Sequence, residues 1–232
     1  MNLPYFYEPF ISRPHHTLSE ETSRHCVQVL RMKEQEQLQL TDGQGNLFTA
    51  VITKADKKNC DVTIQNEGDQ LQQQSNISIA VSILKNPTRF EWLMEKITEI
   101  GVNKIYPLIC ERTEKQNFRF ERINNILIAA MLQSKQTWLP QLYQPKKFAA
   151  FIHEEFEGLK LIAHCIAEKK QALKDFTYKT TDKLVLIGPE GDFSLSEIES
   201  ALKQNFIPVS LGNTRLRSET AGIVAVTFLN SI

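Results

Sequence analysis

Apolar and polar positions follow two different rhythms along the chain, and the rhythm changes near residue 72. Gln37-Leu38-Gln39-Leu40 alternates with period two, which predicts a half-buried strand. Leu47–Thr53 and Cys60–Ile64 are short apolar runs, separated by turn chemistry at Thr41–Asn46 and Lys54–Asn59. Short strands at this spacing, joined by tight turns, predict a small β-barrel. Ahead of them, Thr17-Leu18-Ser19-Glu20 has the capping-box spacing and predicts a helix running to about Leu30. The polar, Gln-rich stretch Gln65–Asn76 has little to bury and predicts a linker. The boundaries that follow are 1–72 and 73–232.

Beyond the linker, β-like and α-like patterns alternate. Ile77–Leu84 is an apolar strand. Thr88-Arg89-Phe90-Glu91 is a second capping-box spacing, and Phe90, Leu93, Met94, Ile97 and Ile100 recur at helical intervals before Gly101, a helix stop. Strands are predicted at 105–109, 159–163, 183–187 and 208–211, and helices at about 120–135 and 148–156. Ser194-Leu195-Ser196-Glu197 opens a further helix. The last helix, Ser218 to Asn230, is apolar nearly all round, so it is expected to be buried on more than one side, within the fold or against a second subunit. Alternation of this kind predicts an α/β domain with a mainly parallel sheet.

Composition narrows the class only slightly. Net charge is zero over 232 residues. Residues 1–72 hold 7 Lys/Arg and 10 Asp/Glu, net −3; residues 73–232 hold 20 and 17, net +3. Cys26, Cys60, Cys110 and Cys165 lack metal-ligand spacing, so they are expected to be free, mostly buried thiols with no metal site. No apolar run is long enough to span a membrane, and Met1–Phe6 lacks signal-peptide character. The expected location is the cytoplasm.

Two loops carry the candidate chemistry. The first, Ile187-Gly188-Pro189-Glu190-Gly191-Asp192-Phe193, follows the strand at 183–187. The second runs from Leu211-Gly212 to Leu216-Arg217-Ser218-Glu219-Thr220. Each ends a strand and opens a helix, which is where ligands sit in α/β sheets. Glycine lets backbone groups approach a ligand closely, and a helix N-terminus favours anions. Neither loop is a phosphate-binding GxxxxGK[ST] or a dinucleotide GxGxxG, which argues against ATP and NAD. Arg217 and Glu219 stand where the second helix begins, with Ser218 or Thr220 available to cap it.

The combination Leu186-Ile187-Gly188-Pro189-Glu190-Gly191, Phe193-Ser194, Leu211-Gly212 and Leu216-Arg217-x-Glu219-Thr220-Ala221 resembles the RsmE family. The likeness continues through His25-x-x-x-Val29-Leu30-Arg31, Asp42-Gly43, Lys85, Trp92, Lys96–Val102, Gln133 and Leu139-Pro140. It departs at Asp192 and Gln35, where glycine is common, and at Gln136, where arginine is common; no RNA role is carried over to Gln136. The resemblance implies a C-terminal SPOUT α/β domain with a trefoil knot, preceded by a small PUA-like β-barrel. It implies an S-adenosylmethionine-dependent methyltransferase acting on uridine N3 of small-subunit (16S) ribosomal RNA, free or in an assembled particle, and a homodimer.

On that resemblance, S-adenosylmethionine would be held by Ile187, Gly188, Glu190, Gly191, Leu211, Gly212, Leu216, Arg217 and Thr220, with Ala163 and His164 at an earlier strand end. Leu211 and Leu216 would pack on the adenine. Uridine N3–H is too weakly acidic to ionise at neutral pH, so a base or stabilising donors are needed. Arg217 is the expected stabilising cation, and Glu219 either orients it, acts as base, or anchors the turn. RNA contacts are expected from Arg31 and neighbouring groups of the barrel and from Arg89, Lys115 and Arg119, with much of the affinity from the basic side of the second domain or from both subunits of a dimer, because the net charge of the first suits phosphate poorly. Two other readings stand beside this one: a SPOUT ribose 2′-O-methyltransferase, and a non-catalytic RNA-binding ribosome-assembly protein.

Overall fold

The structure, a computed structural model, describes residues 3–68, 76–166, 170–176 and 182–231. It divides into two compact units, Met1–Gln73 with Met131–Leu139, and Gln74–Ala130 with Pro140–Ile232.

In the first unit, the strands are β1 (Tyr5–Tyr7), β2 (His15–Thr17), β3 (Gln37–Thr41), β4 (Leu47–Lys54) and β5 (Asp61–Glu67), in sheet order β1-β3-β4-β5-β2. The alternation at 37–40 is realised: Leu38 and Leu40 are buried, with Phe6, Phe48, Ile52 and Val62, in one core. Cys26 and Cys60 lie in the same core, and burial pushes the Cys26 thiol pKa up to about 12. The helix starts later than the Thr17…Glu20 spacing predicts. Thr17 belongs to β2 and donates to Asp61 Oδ1 (2.7 Å). Ser19 is the N-cap instead, its Oγ accepting from the Thr22 N–H. Helix α1 (Glu20–Arg24) runs into a π-helical turn at His25–Val29. The predicted linker is also shorter than expected, because Asn66 and Glu67 pair with Thr49 and Phe48 as part of β5. Residues 69–75 of that stretch lie outside the described residues.

Glu8 ties β1 to the start of α1. Its Oε1 accepts from the Ser19 N–H (3.1 Å) and Oγ–H (2.9 Å), and His16 Nε2 lies 3.8 Å from its Oε2. Burial alone would raise the carboxyl pKa, but the nearby His16 imidazole and hydrogen bonds from Thr22 and Ser19 outweigh it, so the net shift is downward. A carboxylate with a depressed folded pKa stabilises the fold above its ordinary pKa and loses that contribution as pH falls through the lowered value. Acidification from about pH 6 to about pH 3 should therefore erode the stability of the wild type more than that of Glu8→Gln, read as the change in denaturation midpoint; equal losses would remove Glu8 from the account.

In the second unit, the strands are β6 (Asn76–Ser82), β7 (Lys104–Ile109), β8 (Gln141–Leu142), β9 (Lys146–Lys147), β10 (Leu159–Ala163), β11 (Gln171–Ala172), β12 (Asp182–Ile187) and β13 (Ile207–Ser210). Their order is β11-β13-β10-β12-β6-β7-β8, with β9 also on β7, and the pairs are parallel. The helices are α2 (Pro87–Ile100), α3 (Phe120–Gln133), α4 (Phe148–Phe151), α5 (Leu195–Lys203) and α6 (Ser218–Asn230). The N-cap of α2 is Asn86 rather than Thr88. Its Oδ1 accepts from the Thr88 and Arg89 N–H groups, and Pro87 takes the first helical position, where no N–H is needed. Helix α4 closes after one turn, short of Phe156, since Phe148, Phe151 and Ile152 already reach the core from that turn.

Helix α6 packs on α2, β6 and β12. It buries Gly222, Ala225, Val226 and Leu229, while Ile223, Val224 and Phe228 stay half-buried. Lys183, 2% exposed, donates from Nζ to the Leu229 carbonyl (2.7 Å) in the last turn of α6. Burial lowers its ammonium pKa, and the negative end of the helix dipole is a fitting partner for it.

Candidate functional site

The parallel register explains why the two loops meet. Ala163, the last residue of β10, is level with Ile187 of β12 on one side and Val209 of β13 on the other. The loops after β12 and β13 therefore leave the same edge of the sheet, two inter-strand spacings (about 10 Å) apart, with 163–165 between them. A cavity of about 410 Å³ forms there, lined by Arg89, Ala163, Cys165, Ile187–Glu190, Asp192, Arg215–Glu219 and Ala221. A second, of about 350 Å³, shares Ala163, Cys165, Arg215, Leu216 and Ala221 with it and adds His164, Lys170 and Val209–Thr214. The two are parts of one groove.

Most of the residues singled out from sequence line this groove: Ala163, His164, Ile187, Gly188, Glu190, Leu211, Gly212, Leu216, Arg217 and Glu219. Gly191 and Thr220 are not part of its lining. The Gly191 carbonyl accepts from Arg112 (2.7 Å), and Thr220 sits half-buried in the first turn of α6. Arg31 is an exposed residue of the first unit with φ 58°. Lys115 and Arg119 line a different cavity of the second unit.

The ion pair at the start of α6 differs from the Arg217–Glu219 anchor considered from sequence. Glu219 Oε1 faces Arg89 Nε of α2 at 3.7 Å, and Arg217 stands exposed beside them. Glu219 itself is only 6% exposed, and its Oε2 is buried without a hydrogen-bond partner. A buried carboxylate oxygen left without a donor costs free energy, so this atom keeps the capacity to accept a hydrogen bond. Neither Ser218 nor Thr220 caps the helix. The N-cap position is Arg217, with no side-chain capping bond.

The first loop is pinned from three directions. Glu190 Oε1 accepts from the Lys85 N–H (3.0 Å), Arg112 holds Gly191, and Asp192 Oδ2 accepts from the Cys165 N–H (2.7 Å). Past the loop, Ser194 and Glu197 form the reciprocal capping box that the sequence predicts. In the second loop, Ser210 Oγ accepts from the Gly212 N–H (3.4 Å) and donates to its carbonyl (3.0 Å). Lys170 donates to the His164 carbonyl. Cys165 is the exception among the thiols: it is exposed, while Cys26, Cys60 and Cys110 are buried.

Asp192 has φ 65°, in the left-handed region that glycine adopts freely and Asp tolerates better than most residues. That explains both why glycine suits this position and why Asp can replace it. Its carboxylate then supplies the bond to Cys165. Asp192→Ala should cost about 1–3 kcal/mol, losing the bond while keeping the strained φ. Asp192→Gly should cost less than half of that. Equal losses in denaturation midpoint would rule out the backbone explanation.

Asp192, Cys165, Lys170 and Arg215 are the groove residues that sequence reasoning missed as site residues, and Arg112, outside the lining, is the missed support of the first loop. Asp192 carried a signal, as a carboxylate in place of glycine, and Arg215 lies inside the second loop. Arg112 and Lys170 carried none, because each acts through a backbone carbonyl, that of Gly191 79 positions away for Arg112 and that of His164 for Lys170, which no motif marks.

A groove of backbone amides, small apolar side chains, arginines and one unpartnered carboxylate oxygen, at the C-terminal edge of a parallel sheet, defines a ligand-binding α/β protein. The RNA methyltransferase domain matches residues 71–230 and the RNA methyltransferase PUA domain residues 18–65, so the chain belongs to the RsmE family of RNA methyltransferases, with a SPOUT α/β domain behind a PUA-like sheet domain. A ribosomal RNA small subunit methyltransferase E from Buchnera aphidicola subsp. Schizaphis graminum is 28% identical over 220 residues, 92% of this chain and 89% of that protein. The crystal structure of a "probable rRNA-methyltransferase" from Porphyromonas gingivalis superposes with TM-score 0.90 at 38% identity, covering 99% of this chain and 98% of that one. A ribosomal RNA small subunit methyltransferase E from Neisseria gonorrhoeae, bound to S-adenosyl methionine, superposes with TM-score 0.89 at 28% identity, covering 99% and 98%.

Proposed function

We propose that this protein transfers a methyl group from S-adenosylmethionine to N3 of a uridine in small-subunit (16S) ribosomal RNA. The observation that carries the reading is the groove: both loops and the end of β10 enclose it, in a chain belonging to an RNA methyltransferase family. Its residues fit the cofactor. Ala163, Leu211 and Leu216 offer an apolar wall for a flat purine, and the backbone of Ile187, Gly188 and Gly212 offers close polar contacts. His164, Glu190 and the backbone of Arg217 complete the proposed set around the ligand, while Gly191 and Thr220 support it from behind the lining.

The cofactor supplies an electrophilic methyl group. The protein's own task is the proton. The uridine N3–H bond must break as the N3–methyl bond forms, and Glu219 Oε2 is the proposed proton acceptor, buried and without a donor of its own. Arg89 fixes the other carboxylate oxygen. Arg217 is the proposed cation for the negative charge that develops on the uracil carbonyl oxygens. Arg31, Lys115 and Arg119 are proposed RNA contacts, and Arg89 joins the reaction site rather than the phosphate-binding set. A homodimer through the half-buried Ile223, Val224 and Phe228 of α6 belongs to the same proposal, as does action in the cytoplasm, where small-subunit RNA is found. Among the described residues, no helix is long and apolar enough to cross a membrane.

The test is to supply small-subunit particles and labelled S-adenosylmethionine, then map the modified base. Label at uridine N3 of 16S RNA is expected; label on ribose, on protein, or nowhere would overturn the reading.

A further inference from the structure

The first turn of α2 separates the groove from another cavity. Arg89 points into the groove, while its neighbours Thr88 and Phe90 line a cavity of about 420 Å³ on the other side. That volume is in the range of small-molecule sites, about 300–1,000 Å³. We propose that this cavity is a subsite for an unpaired RNA nucleotide flanking the methylated uridine, with Phe118 as its stacking surface and Lys115 and Arg119 as its phosphate contacts. The proposal rests on the methyltransferase reading above and adds a place on the protein for the substrate's neighbouring nucleotide.

Charge pairing around the cavity is uneven in a way that suits an anion. Lys85 is neutralised by Glu114 (2.6 Å) and Arg122 by Glu91 (2.8 Å). Lys115 and Arg119 line the same cavity, are exposed, and form no ion pair among the described residues. The carboxylates of Glu114 and Glu91 thus pair directly with Lys85 and Arg122, Arg119 acting on Glu91 only at longer range, and two cations remain at the rim. Phe118 is half-buried, edge-on to Phe90 (6.1 Å, 80°) and to Phe120 (6.3 Å, 65°). Two aromatic neighbours hold its ring in place. Single-stranded RNA is bound by this pairing of a fixed aromatic ring with cations that follow the backbone. The cavity is also joined to the cofactor loop, since the N–H of Lys85, on its wall, donates to Glu190. A strand placing one uridine in the groove would lead its neighbour across the α2 turn to Phe118.

Stacking and phosphate contact leave different signatures. Binding of a short single-stranded RNA oligonucleotide by the full chain is measured across a range of salt, for wild type, Phe118→Ala, Phe118→Trp and Lys115→Gln/Arg119→Gln. Phe118→Ala should weaken binding about tenfold at unchanged salt slope, and Phe118→Trp should restore it. The double charge variant should flatten the slope of log K against log salt by about 1.4, the value for two phosphate contacts to a single strand. Both charge changes are at exposed positions, so that variant keeps the fold even if Phe118→Ala loosens it. Wild-type-like affinity and slope in the double variant, or no salt-dependent binding by the wild type, would overturn the proposal. The underlying reading fails separately, if wild-type protein binds the RNA yet transfers no methyl group to small-subunit particles.

Discussion

Arg217→Ala lowers methyl transfer to small-subunit particles by about 10²–10³-fold on the proposed mechanism, the usual effect of removing one preorganised donor to a developing charge. The expectation follows from where the residue sits. Arg217 lines the groove beside Ser218 and Glu219, at the N-cap of α6, where the Ala221 N–H bonds to its carbonyl (2.8 Å). The backbone there is fixed by the helix, while the side chain is exposed and makes no capping bond. Truncating it therefore leaves the fold intact. Calorimetry should show S-adenosylmethionine affinity changed by no more than about threefold, because the proposed cation acts on charge present only in the transition state. Glu219→Gln is the companion. It preserves shape and removes the proton acceptor, so it should lower turnover by about 10²–10⁴-fold. Wild-type-like turnover of Arg217→Ala would sink its assignment; wild-type-like turnover of Glu219→Gln would do the same for the base.

The second large effect concerns stability. Gly158 enters β10 at φ 121°, a conformation L side chains rarely adopt. A Cβ at this position would lie 2.3 Å from the Asp182 carbonyl oxygen and 2.8 Å from the Asp182 Cβ. The obstruction is backbone at the start of β12, the strand paired with β10, so it has little freedom to yield. Gly158→Ala should cost about 2–5 kcal/mol, combining backbone strain with overpacking. Chemical denaturation of the full chain reads this directly. A loss under about 0.5 kcal/mol, an ordinary surface value, would show that the turn relaxes. The substitution lies at the opposite end of β10 from Ala163, so any loss of cofactor affinity should follow the loss of fold.

The second unit was more legible in sequence than the first. β10 and α6 lie where the pattern places them, because a short apolar run and a 13-residue apolar helix leave little room for another assignment. β1 and β2 were not visible, since three residues each cannot display a period. Two capping-box matches, at Thr17 and Thr88, were displaced by stronger local chemistry: Ser19 adjoining Glu8, and Asn86 ahead of Pro87. The grouping of Met131–Leu139 with the first unit was hidden as well. It depends on contacts distant in sequence, such as Thr41 donating to the Thr137 carbonyl (3.3 Å) and Trp138 lying against Gly45. At the site, the two loops were readable from glycine placement and helix starts. The partner of Glu219 was not, because Arg89 lies 130 positions earlier and reaches it only through the packing of α2 on α6.

The three ties on the loop from Gly188 to Phe193 have a thermodynamic consequence. They come from the β6–α2 turn, from the segment after β7 and from the end of β10, so the loop's conformational entropy is surrendered when the sheet assembles. A ligand arriving at this loop meets a frame already set and has less ordering left to impose. The exchange also runs backward. A ligand that binds only this assembled frame holds those three strand ends together, so a saturating cofactor should raise the melting temperature of the whole second unit rather than that of a local lid.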